Sequence, residues 1–122
     1  MAENKSVGNW GEHIVRDYLI TQGYAIMETN WRLNHLEVDI IVSKGDEIAF
    51  VEVKTRREPF RISEIITPRK ISNLVSAANG YLRRFHINLR PRFDVAAIVG
   101  TEHSYTLEYI PDAFRPPLRT HR

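Results

Sequence analysis

Apolar residues recur first at helical spacing and then at strand spacing. Val7, Trp10, Ile14, Tyr18 and Leu19 fall on one stripe, with Ser6 placed to cap it and Gly23 to end it. The pattern predicts a helix from Val7 to Gln22. Gly11 lies in the same stripe, where it permits close packing. At about 100° per residue, Glu12 falls beside Leu19 at the stripe's edge, within reach of the rim of a sheet packed beneath.

Tyr24 to Leu33 reads as a first strand. Leu36, Val38, Ile40 and Val42 then alternate with Glu37, Asp39 and Ile41, predicting a second strand with each set on its own face. Ser43 to Glu47 is turn material. Ile48 to Thr55 is a third strand, on which Glu52 and Lys54, two apart, share a face. With Lys44 to Glu47 as a four-residue loop, Asp39 faces Glu52 and Glu37 faces Lys54. A slip of one residue would set Asp39 against Val51. Thr67 and Pro68 open a second helix whose stripe is Ile71, Leu74, Val75, Ala78, Tyr81 and Leu82. Arg92 to Val99 and Tyr105 to Ile110 are further strands. The order yields an α/β sandwich with a mixed central sheet: an antiparallel meander, then a helical crossover that lays the fourth strand parallel to the third. Residues 1–113 form one domain, and 114–122 a Pro/Arg-rich tail.

Composition narrows the function classes. The chain has 122 residues and no cysteine, which removes disulfides, thiolate metal sites and thiol nucleophiles. No apolar run approaches the ~18 residues of a spanning helix, and the N-terminus lacks a secretory layout, so a cytoplasmic protein without membrane contact is expected. Net charge is only +2 but uneven. Residues 1–53 hold four Lys or Arg against nine Asp or Glu, whereas 54–92 hold ten against two. An acidic cluster beside a basic stretch is what a metal site next to a phosphate-binding surface requires.

Asp39, Glu52 and Lys54, with Glu12 from the helix, are the candidate catalytic residues. Acids side by side on a half-buried sheet face repel unless a cation lies between them. Asp39 and Glu52 are the candidate Mg²⁺ or Mn²⁺ ligands, with Glu12 and the Val53 carbonyl as further donors, since hard cations favour oxygen. Lys54 would contact the nucleophile or a phosphate oxygen. Arg56, Arg57 and Lys70 are candidates for flanking phosphates. Glu37 reads as a cross-strand partner of Lys54, Asp94 as a partner of Arg92, Trp10 and Trp31 as core, and Phe60 as the better stacking candidate.

The segments Gly8-x-x-Gly11-Glu12, Asn30-Trp31-Arg32, Glu37-Val38-Asp39-Ile40-Ile41, Phe50 to Arg56 and Arg92-Phe93-Asp94-Val95 resemble the YraN family of uncharacterised bacterial proteins over roughly Gly8 to Phe114. That family is similar to the restriction-endonuclease-like, PD-(D/E)xK, superfamily, which includes archaeal Holliday-junction resolvases. The resemblance implies an αβββαβ core and matches Asp39, Glu52, Lys54 and Glu12 to the superfamily's catalytic positions. It also implies a DNA substrate, structured or branched, and a homodimer. Leu36 stands where the family usually has glycine. Two alternatives remain beside a Mg²⁺-dependent nuclease: a nucleic-acid-binding module without turnover, and a structural protein whose acids form a solvated cluster.

Overall fold

The computed structural model describes residues 2–116, with side chains from Trp10 onward. The elements are α1 (Ala2–Thr21), β1 (Ala25–Leu33), β2 (Leu36–Lys44), β3 (Glu47–Arg56), a short 3-10 turn (Ile62–Glu64), α2 (Pro68–Arg84), β4 (Arg90–Thr101) and β5 (Ser104–Phe114). The strands form one sheet in the order β1-β2-β3-β4-β5. Only β3 and β4 run parallel; the other neighbours are antiparallel. This is the mixed α/β architecture that the periodicity predicts. α1 begins ahead of Ser6, so the expected start is too late, and the Ser6 cap and Val7 burial lie outside the described side chains. The tail lies outside the described residues from 117 onward.

Burial explains the layers. Val15 and Leu19 of α1 pack with Ile40, Val42, Ala49, Val51, Ala96 and Ile98 on one side of the sheet. Leu74, Ala77, Ala78 and Tyr81 of α2 pack with Val38, Ile41, Ile48, Phe50 and Phe93 on the other. β3 and β4 are covered on both faces, so they read as continuous apolar runs rather than alternating ones. Each wholly buried Val, Leu, Ile or Phe contributes about 1.5–3 kcal/mol relative to exposure. Thr67 caps α2 as expected, its hydroxyl accepting from the Lys70 N–H at 3.1 Å.

The β2–β3 hairpin keeps the expected register, with Ile40 opposite Val51 and Ile41 opposite Phe50. Its loop is tighter than expected. Lys44 pairs with Glu47, leaving only Gly45 and Asp46, with Gly45 at φ 61. Glycine takes that left-handed backbone without steric cost.

The faces of β2 depart from simple alternation. Leu36 and Val38 pack in the α2-side core, whereas Ile40 and Val42 pack in the α1-side core. They do not all point one way. The change of face falls at Asp39, opposite Asn30, whose φ is 51. Beside it the β2–β3 pairing ends at Ile40 and Val51. A strand released from its partner on one side is free to rotate. Leu36 pairs with Leu33 across a turn at Asn34 and packs against the α2-side core.

Candidate active site

Where β2 and β3 part, the missing ladder bond is replaced by a side chain. The Val53 backbone N–H donates to Asp39 Oδ2 at 2.8 Å. In a strand, a residue's N–H and C=O emerge on the same edge, so the Val53 carbonyl also faces the gap beside Asp39. Asp39 and Glu52 are the next residues past the last paired position of each strand.

Both acids are held away from their ordinary ionisation. Burial, and then the neighbouring Glu52 carboxylate, push Asp39 up to about 7 against the pull of the Val53 N–H. Burial also raises Glu52, which is only 4% exposed, against the opposing pull of Lys70 and Lys54. Lys70 Nζ reaches Glu52 Oε2 at 3.2 Å from the first turn of α2. Lys54 is half-buried on the same strand, and its charge is felt at Glu52.

Glu12 arrives from α1. Its neighbour Gly11 is buried, and a Cβ there would stand 2.3 Å from Thr55 Oγ1, so only glycine lets the helix approach β3 this closely. Burial raises the Glu12 carboxyl, a hydrogen bond from the Asn30 side chain lowers it, and Glu37 raises it. Glu12 and Glu37 also raise Asp39. The three acids therefore share one field, but among the described residues no three acids or histidines stand close enough to form a ready-made metal cage. The Glu52 charge is felt at Asp39 across the gap between β2 and β3.

Other expected contacts differ. Glu37 pairs with Arg32 at 3.7 Å rather than with Lys54, because the β2–β3 ladder has ended before that position. Lys70 lies on the Glu52 carboxylate instead of standing apart. Arg56 and Arg57 are exposed and line a groove beyond Lys54, together with Trp10, Thr55 and Gly100 to His103. Asp94 is structural in its contacts: Arg92 binds it at 2.9 and 2.8 Å, and the Tyr109 hydroxyl and Asp112 N–H complete its partners. The role of Asn30 left one signal in the sequence, a residue tolerant of left-handed backbone inside a strand pattern.

The residues present suit a hard cation. Mg²⁺ is bound through one or two carboxylates and keeps several waters, so it needs no all-protein cage. Asp39, Glu52 and the Val53 carbonyl form such a set, and a cation there would relieve the like-charge pair.

Residues 11–98 match the sequence profile of the uncharacterised protein family UPF0102. The chain is 41% identical over 121 residues to a UPF0102 protein of Parabacteroides distasonis, covering 98% of this chain and 100% of that one. It is 40% identical over 120 residues to a UPF0102 protein of Bacteroides fragilis, covering 97% and 99%. A UPF0102 protein of Syntrophomonas wolfei is 40% identical over 116 residues, 91% of this chain and 99% of that one. Among the described residues no helix is long and apolar enough to cross a membrane.

Proposed function

This chain belongs to the UPF0102 family, the group its YraN-like motifs resemble, and from the geometry of its acidic site we propose that it is a metal-dependent nuclease acting on DNA. The observation that carries this reading is the position of Asp39 and Glu52 just past the last paired residues of β2 and β3, both buried and both raised, with Lys54 two residues along from Glu52. Burying two neighbouring acids costs stability, and groups perturbed in this way cluster at catalytic sites.

Asp39, Glu52 and the Val53 carbonyl would hold Mg²⁺ or Mn²⁺, with Glu12 holding a coordinated water from the helix side. When bound, such an ion supplies Lewis acidity and a water of lowered pKa. Lys54 donates to a non-bridging phosphate oxygen, where its compact charge offsets the charge that develops on phosphorus. Arg56 and Arg57 hold flanking phosphates and so fix the scissile bond over the acids. A cation that binds Glu52 must draw it away from Lys70, which frees that ammonium for substrate.

The test is cleavage of a labelled panel of single-stranded, duplex, flapped and four-way-junction DNA in Mn²⁺. Cleavage is expected, and its loss in both Glu52→Ala and Lys54→Ala. Absence of cleavage across the panel, or activity that survives both substitutions, removes the nuclease reading. The Lys70–Glu52 ion pair favours one other reading, a binding module whose lysine has replaced the ion. Salt-sensitive DNA binding with no thermal response to Mn²⁺ would support it.

A further inference from the structure

A groove of about 610 Å³ lies beyond Lys54 along β3, lined by Trp10, Thr55, Arg56, Arg57 and the β4–β5 turn from Gly100 to His103. Its position follows from the chain. Trp10 stands one residue before the Gly11 that packs on Thr55, and Arg56 follows Lys54 by two on β3. An extended strand advances about 3.3 Å per residue, so the groove begins within ~7 Å of the lysine's backbone. Gly100 adopts φ 128, and a Cβ there would meet the Ser104 carbonyl oxygen at 2.3 Å. The turn that forms one wall can therefore fold back only on glycine.

Two kinds of surface meet in this groove. Trp10 is partly buried and braced by Tyr105, the ring centroids 5.8 Å apart and the planes at 53°. It presents a fixed aromatic wall. Arg56 and Arg57 are exposed, line the same groove and outnumber the single acid, Glu102. An aromatic ring and two guanidinium groups in one groove are the chemistry of a nucleotide site: a flat base to stack and a phosphate to neutralise. The volume falls within the range of small-ligand sites and suits one nucleotide, not a duplex. A base inside a duplex is stacked on its neighbours and cannot lie against Trp10.

We propose that this groove is a subsite for one unpaired nucleotide of a nucleic-acid strand, its base against Trp10 and its phosphate held by Arg56 and Arg57. The proposal rests on the nuclease reading for its choice of ligand. It adds that the strand entering the acidic site is single at this point, as at a flap, a junction arm or a free end.

The chain has two tryptophans, and Trp31 packs edge-on against Tyr81 at 5.1 Å. The full-length Trp31→Phe protein therefore reports on Trp10 alone. Its emission is titrated in EDTA with a short oligothymidylate and with a blunt hairpin duplex of equal length. Saturable quenching by the single strand is expected, with the duplex binding at least about tenfold more weakly. Arg56→Ala with Arg57→Ala should weaken the single-strand affinity and lower its salt slope. If circular dichroism shows Trp31→Phe unfolded, the difference between wild type and Trp10→Phe supplies the same signal. No quenching by the single strand, or an equal response to duplex, overturns the subsite. The metal-free readout separates the two readings. Quenching without cleavage in Mn²⁺ keeps the subsite and removes the nuclease; cleavage without quenching does the reverse.

Discussion

Lys70 Nζ stands 3.2 Å from Glu52 Oε2, an ion pair joining the first turn of α2 to the middle of β3. It sets an ammonium against a buried carboxylate that burial raises. Lys70→Ala leaves a buried carboxylate without its partner, which costs about 3–5 kcal/mol for wholly buried pairs. Because Lys70 is one-third exposed, a smaller loss of about 1–3 kcal/mol is expected. Mn²⁺ should then stabilise Lys70→Ala more than wild type, since ion and lysine compete for the same oxygens. Thermal unfolding of both proteins with and without Mn²⁺ measures this. An equal response would show that the ion does not engage Glu52.

Asp39 ties stability to pH. Its carboxyl titrates at about 7 in the fold, against 3.8 as the ordinary value. Between those values the folded chain holds a proton that the unfolded chain has lost, so stability falls as pH rises through the window. Asp39→Asn keeps the Val53 hydrogen bond without the charge, and should flatten the melting temperature between pH 4 and 7. Glu12 and Glu52 are raised as well, so the slope should shrink rather than vanish. Mn²⁺ bound there would displace the proton, so its stabilising effect should grow with pH in wild type. A slope unchanged by Asp39→Asn would contradict this account.

Gly11 sets the distance between Glu12 and the sheet. In Gly11→Ala the new Cβ would lie 2.3 Å from Thr55 Oγ1 and 3.3 Å from Ile98 Cδ1. Overpacking of this kind costs about 1–3 kcal/mol. Adding Thr55→Ala should recover part of it. Gly80→Ala meets the end of the Leu33 side chain at 2.4 Å, a flexible group that can turn aside, and should cost less. Chemical denaturation of the four proteins gives the order.

Asp94 separates structure from chemistry. It is 1% exposed and bound by Arg92, Tyr109 and the Asp112 N–H. Asp94→Asn leaves the half-buried Arg92 guanidinium with Glu47 as its one remaining anion and should destabilise by about 1–3 kcal/mol. Any cleavage per folded molecule should be unaffected, in contrast to Glu52→Ala. Activity normalised to the folded fraction checks this.

The sequence by itself determined the elements, the β2–β3 register and the capping of α2 by Thr67. Each depends on residues near one another in the chain: a periodicity, a short turn, a hydroxyl three positions from its N–H. It also set Asp39 and Glu52 one step past the last paired residues of the hairpin, because register propagates from its turn. Tertiary structure decided the rest. The change of face at Asp39 arises where β2 loses β3 but keeps β1, a competition between two partners that alternation cannot show. Lys70 meets Glu52 across 18 positions only because α2 crosses the sheet there, and Trp10 joins Arg56 and Arg57 only because α1 packs over Thr55. Such contacts follow from how helices seat on a twisted sheet, which no local pattern of polarity specifies.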